Sequence, residues 1–472
     1  MNSSKNQKML SWIIFICVVI AAVAGLLYRN NGITKNQEQD KTLKELKPLL
    51  GLARYFKEND VDINNPDEAF EIYIQNQYNL DIKGLKLFLE KSKSKNASNT
   101  QKAIAHFISE EYNESLSSFE VVLKEVFDHK IIAIANSYIG HIFLQGLAST
   151  KRNPEPYLKK SLASFSKISN KDNFLLANEA ETLRDLGIFY RTKGLGEKSF
   201  HNYQKAIDIY NKLKKENNNK GYDAELGAIN QNIFALLNNP NIEFEIATNK
   251  EDYLLNALKL KEKAYKKNNT YFSELMTTII SSINHFGHQK NYELVDVYFK
   301  KAEKILNHYP NKSEYIYKLR YAAILSSYAI VIKGNKEFKK AKSFFLQSDK
   351  YFKQILPLRS TFDKVGYANN LHFLGMIHTD LNDYKNAKTF YEDAIEILTN
   401  INSKRPDVNS AARLADSYLA FALLYMRSNK NKSLRLAKEK AEIAKQLYIG
   451  YPQHKKVLEG RINECIRILD FK

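Results

Sequence analysis

Apolar residues return every three to four positions along most of this chain, and short polar turns separate the runs. Leu371, Leu374, Gly375 and His378 share one face of a helix; after the turn Leu381-Asn382-Asp383-Tyr384, the residues Ala387, Tyr391, Ala394 and Leu398 share a face of a second. Such pairs recur. Gly140, Gly187, Asn232, Ile283, Ala329, Gly375 and Ala422 occupy comparable positions, at intervals of 47, 45, 51, 46, 46 and 47 residues. A fixed period of this size predicts a stacked array of two-helix units. Within a unit, a small residue on the first helix (Gly375) and alanines on the second (Ala387, Ala394) let the helices cross closely. A large ring (Tyr391) then fills the gap to the next pair.

The N-terminus breaks the pattern. From Met9 to Tyr28 the chain is apolar apart from Ser11 and the ring edges of Trp12 and Tyr28, with Lys8 and Arg29 outside. Residues 9–28 would reach about 30 Å as a helix, the thickness of a hydrocarbon core. The competing reading is a cleavable signal peptide, since Ala22-Val23-Ala24 before Gly25 resembles a cleavage site, although Leu26, Leu27 and Tyr28 continue the run. Lys5 and Lys8 favour an inside N-terminus; Arg29, Lys35, Lys41, Lys44 and Lys47 pull the other way. The expectation is a single-pass protein of a bacterial inner membrane with its C-terminal domain exported, the cytoplasmic arrangement being the alternative. Residues 1–8 form a short basic head and 29–41 a polar spacer. Residues 42–97 read as N-terminal helices, with a helix start at Asn65-Pro66-Asp67-Glu68. The repeats run over 98–448, and 449–472 form a capping helix.

Composition narrows the fold class. Among 472 residues there are only 17 Gly and 9 Pro, too few for the frequent tight turns of a sandwich, barrel or doubly wound sheet. Cys17 and Cys465 exclude a disulfide scaffold, a cysteine zinc site and an iron–sulfur cluster.

The small and large positions of these units resemble the tetratricopeptide repeat. One good copy has Leu374, Gly375, Ala387, Tyr391 and Ala394; another has Leu186, Gly187, Tyr190, Gly194, Ser199, Tyr203 and Ala206. Weaker copies keep Ala329, Phe338, Ala341 and Phe345; Tyr292, Phe299 and Ala302; and Tyr112, Ser115 and Phe119. A further one has Gly140 and Phe165 about an insertion near Asn153-Pro154. The period of about 46 residues exceeds the family's basic 34 and is similar to that of the longer-helix members. The resemblance implies an all-α, right-handed solenoid of antiparallel helix pairs. It implies ligand-facing positions on first helices: Arg184, Arg191, Asn284, Asn369, His372 and Met376 as a candidate peptide groove. The family's basic clamp for C-terminal carboxylates is absent, because Ile188 follows Arg184 and Met376 follows His372. Ile188, Ile233, Ile330, Met376 and Leu423 are open to two readings, burial against neighbouring units or an apolar groove for a helix or extended peptide.

No motif for catalysis emerges, and the chain is not expected to be an enzyme. Gly194-Leu195-Gly196-Glu197-Lys198-Ser199 has some features of a phosphate loop, but Glu197 separates the last glycine from Lys198 and a helix precedes it. It reads as a turn. His285 and His288 lack a third ligand nearby, so neither a metal nor any other cofactor is expected.

The net charge is +19, from 71 Lys plus Arg against 52 Asp plus Glu. Lys336, Lys339, Lys340, Lys342, Lys350 and Lys353 cluster on one second helix. Lys430, Lys432, Arg435, Lys438, Lys440 and Lys445 cluster on another. In the family's geometry second helices face outward. Lys outnumbers Arg by 58 to 13, whereas bidentate phosphate contact favours Arg. The charge therefore reads first as a solvated coat, next as contact with anionic lipid, and last as nucleic-acid binding. The functional expectation is a membrane-anchored scaffold or adaptor for a protein or peptide partner. The alternatives are a receptor docking a signalling peptide and a chaperone-like factor for exported or membrane proteins.

Overall fold

The computed structural model describes residues 46–56, 63, 66, 68–217, 221–242, 244, 249–404, 408–427, 431–450 and 455–471. Among these, all regular structure is helical. Helix α1 covers residues 46–56. It is followed by α2 (Glu68–Tyr78), α3 (Ile82–Lys93), α4 (Asn99–Ile108), α5 (Tyr112–Glu125), α6 (His129–Gln145), α7 (Glu155–Phe165), α8 (Asn173–Thr192), α9 (Gly196–Glu216) and α10 (Asp223–Leu237). The rest are α11 (Lys250–Lys267), α12 (Phe272–His288), α13 (Tyr292–His308), α14 (Tyr315–Gly334), α15 (Phe338–Lys353), α16 (Thr361–Asp380), α17 (Tyr384–Lys404), α18 (Val408–Arg427), α19 (Asn431–Ile449) and α20 (Lys455–Asp470).

The chain divides into two compact units, one ending at Ile229 and the other beginning at Asn230. In the first, α4–α5, α6–α7 and α8–α9 are helix hairpins; in the second, α12–α13, α14–α15, α16–α17 and α18–α19 are. Each is a stack of hairpins, an α-solenoid arrangement, because successive pairs also pack on one another.

The close approach has an atomic cause. A Cβ on Gly187 would lie 2.5 Å from the ring of Tyr203, and one on Gly375 would lie 2.6 Å from the ring of Tyr391. Each ring follows its glycine by sixteen residues, and Ala103–Phe119, Ile283–Phe299 and Ala329–Phe345 keep the same separation. All five rings are buried. Tyr391 thus fills its own hairpin first and reaches the next at Phe421, with ring centroids 5.8 Å apart. Phe165, expected opposite Gly140, is replaced there by Leu158, 2.6 Å from a Cβ at that glycine, because the α6–α7 connection is longer. Small polar residues lock the crossings: Ser199 donates to the Gly187 carbonyl, Ser115 to Ala103 and Ser161 to Ala133, each at 2.8 Å. Between hairpins, a tyrosine on a first helix donates to an acid on the preceding second helix, as in Tyr190–Glu155, Tyr328–Asp296 and Tyr367–Asp349.

Six hairpin turns among the described residues share one form. The residue in the left-handed region is Glu110, Gly146, Gly194, Lys290, Lys336 or Asn382. The next amide bonds five residues back, as from Leu195 to Tyr190 (2.9 Å) and from Asp383 to His378 (2.8 Å). Gly194 to Ser199 is therefore a turn and the start of α9. Lys336, expected on a second helix, sits in the turn itself. Lys339, Lys340, Lys350 and Lys353 are exposed on α15.

One expectation is corrected here. Among the described residues no helix is long and apolar enough to cross a membrane. The longest described helices interrupt their apolar positions with charge, as α14 does at Lys318, Arg320 and Lys333. The assignment as a single-pass membrane protein with an exported C-terminal domain is overturned on that finding, and contact with anionic lipid has no support either. The expected span at 9–28, with the head and spacer around it, lies outside the described residues. So do Lys430 and, at the expected helix start, Asn65 and Asp67.

Candidate binding faces of the first helices

In the second unit, α14, α16 and α18 are the first helices of successive hairpins. Side chains one period apart meet across them. Asn369 of α16 accepts from Arg413 of α18 at 2.5 Å. His372 of α16 places Nδ1 3.2 Å from Ser417 Oγ of α18. Further along, Asp380 of α16 lies between Lys333 of α14 (3.1 Å) and Arg427 of α18 (3.5 Å). Asp416 of α18 pairs with Arg461 of α20 at 3.2 Å and accepts the Tyr448 hydroxyl at 2.5 Å. Among these residues the cations Lys333, Arg413, Arg427 and Arg461 outnumber the acids Asp380 and Asp416. Arg427 and Arg461 have about half of their side-chain surface exposed, at 53% and 48%.

Electrostatics follows from this count. Burial pushes the His372 pKa down to about 3, and Arg413, Lys333 and Arg461 push it the same way. The ring is neutral at physiological pH and is wedged beside Phe373 and Tyr391. Burial also lowers the pKa of Arg413.

Of the six expected groove residues, Asn369 and His372 come together with cross-helix partners in this way. Met376 is half-buried and packs with the ring cluster of Tyr391 and Phe421. Asn284 is half-buried on α12. Arg184 and Arg191 belong to the first unit. Arg184 is buried on α8, with Nε 3.9 Å from Asp185 Oδ1, and Asp185 in turn bonds His141 Nδ1 at 2.9 Å. Arg191 is half-buried, its charge close to Tyr203. The apolar set divides unevenly: Ile233 is fully buried, while Ile330, Met376 and Leu423 are partly buried against the cores.

His285 is buried against Phe234 and Phe286 and bonds Glu251 at 3.2 Å; His288 is exposed. Among the described residues no three His, Cys, Asp or Glu side chains are placed to share a metal ion.

Sequence reasoning missed Arg413, Lys333, Asp380 and Arg427. The signal was present, since Lys333, Asp380 and Arg427 follow one another at 47 residues. The charges keep the same period as the small residues of the crossings.

No protein-family model matches the sequence, and no curated protein does. Solved structures do show likeness. The apo form of the quorum sensor NprR from B. thuringiensis aligns at 14% identity and a TM-score of 0.44, covering 82% of this chain and 98% of that one. The C-terminal part of a TPR repeat-containing protein from Cytophaga hutchinsonii aligns at 13% and 0.35, covering 69% and 98%. Yeast Tom70 aligns at 15% and 0.29, covering 89% and 91%. The helix-pair architecture stated above rests on the packing within this chain.

Proposed function

We propose that this protein is a scaffold or adaptor that binds protein or peptide segments on the first-helix faces of its repeats, without catalysing a reaction. The observation that carries this reading is the prearranged polar face of the second unit. Arg413 is held by Asn369, and Lys333 and Arg427 are held by Asp380, so ligand binding need not order them first. The excess of cations favours a segment bearing carboxylates, and arginine forks would fix its orientation.

Selection of peptides from a random displayed library on the full chain tests this. Enriched peptides are expected to carry acids, and Arg413→Ala is expected to weaken them by about tenfold or more. Lys339→Ala and Lys350→Ala, on the solvated face of α15, should leave binding unchanged. Enriched peptides that respond to Lys339 and Lys350 but not to Arg413 would contradict the assignment.

A further inference from the structure

Three arginines fall in register along the second unit. Arg320 of α14, Arg413 of α18 and Arg461 of α20 stand 93 and 48 residues apart, two periods and then one. Gly366 of α16 holds the place between the first two, 46 residues after Arg320 and 47 before Arg413. Each arginine leans on the first helix before its own. Arg320 Nε donates to Ser273 Oγ of α12 at 2.8 Å, Arg413 to Asn369 of α16 at 2.5 Å, and Arg461 Nε to Asp416 of α18 at 3.2 Å. Gly366 lies one turn before Asn369, is exposed, and has nothing within 4 Å of the place a Cβ would take. The row reads cation, gap, cation, cation.

Its chemistry suits a line of anions. Ser273 and Asn369 are neutral, so they orient a guanidinium without cancelling its charge. Burial lowers the Arg413 pKa and Arg461 adds to the fall, against the pull of Asp416. A carboxylate seated between the two arginines offsets both effects. The step of the row then selects the ligand's form. Packed helices lie about 8–10 Å apart. A polyproline II strand repeats its side-chain direction every third residue, at about 9 Å, and keeps that step. A β-strand repeats every second residue, at about 7 Å, and drifts out of it. An α-helix returns only every seventh residue, and its side chains would hold its backbone away from Gly366, where a thin strand can approach closely.

We infer that these helices bind an acidic polyproline II segment whose carboxylates meet Arg320, Arg413 and Arg461 and whose backbone passes over Gly366. The ligand residue opposite Gly366 is uncharged. Acids therefore stand at its first, seventh and tenth positions, or at its first, fourth and tenth if it runs the other way. The inference rests on reading this face as a site for acidic segments, and it adds their conformation and register.

Three fluorescein-labelled peptides of one composition, titrated into the full chain and followed by anisotropy, test it. EAPAAPEAPE and EAPEAPAAPE carry the two registers; EAPAEPAPEA turns its three acids to three different sides. One of the first two should bind at least about tenfold more tightly than the third. Arg320→Ala and Gly366→Leu should each weaken that peptide by about tenfold or more with the helical spectrum unchanged. Should Arg320→Ala unfold the chain, Gly366→Leu decides, because its side chain enters open space. Three peptides that bind alike, all weakened by Arg413→Ala, would overturn the register and leave the acidic-segment reading standing. Binding by none of them, or binding that ignores both Arg320→Ala and Gly366→Leu, would sink the inference as well. A single-stranded oligonucleotide that binds more tightly and displaces the peptides would assign the row to nucleic acid instead.

Discussion

Single residues set how closely these helices cross. A methyl at Gly187 or Gly375 would collide with a buried tyrosine ring at 2.5 or 2.6 Å. Gly187→Ala and Gly375→Ala should each destabilise the protein by about 1–3 kcal/mol in denaturant unfolding, the usual range for overpacking. Gly334→Ala is the control: nothing lies within 4 Å of its Cβ position. It should be neutral or stabilising by about 0.4–1 kcal/mol, through the unfolded chain. His372 makes a pH-dependent prediction. Its folded pKa of about 3 lies below the ordinary histidine value, with burial as the first cause. The unfolded chain therefore takes up the proton first, and stability falls as pH drops through the window from about 6.5 towards 3. NMR titration should find the His372 ring neutral at pH 5. A ring that protonates near pH 6.5 would contradict the burial assigned to it.

At the scale of elements, the hairpin turns explain how so few glycines suffice. A left-handed residue stands in each of the six described turns, yet Glu110, Lys290, Lys336 and Asn382 occupy four of them without being glycine. The backbone bond five residues back and the packing of both helices hold them there. Lys290→Gly and Lys336→Gly should each stabilise the fold by about 1 kcal/mol, measured by thermal unfolding, by removing the Cβ strain. This is also where the sequence was easiest and hardest to read. Hairpins around Gly187 and Gly375 were legible because small residues, a ring and an alanine recur at helical spacing. The ring opposite Gly140 was not legible, since the longer α6–α7 connection brings Leu158 rather than Phe165 to that glycine. Lys336 looked helical because charge alone does not mark a turn.

On the scale of the whole molecule, polar side chains about one period apart meet across the first helices of each unit. Only part of this could be read beforehand. Asn369 and His372 were placed by repeat geometry, and they do meet partners one period on. Arg184, expected on the ligand-facing stripe, is buried with Nε 3.9 Å from Asp185, which bonds His141 of α6, and that seam is a matter of tertiary packing. Arg54 and Glu181 are 127 residues apart, and no periodic pattern links them. The central claim is that first helices, not second helices, carry the ligand. Hydrogen exchange of the full chain, with and without a selected acidic peptide, tests it most directly. Protection is expected over Tyr315–Gly334, Thr361–Asp380 and Val408–Arg427, and it should be lost in Arg413→Ala. Protection confined to the second helices Phe338–Lys353, Tyr384–Lys404 and Asn431–Ile449 would contradict the account.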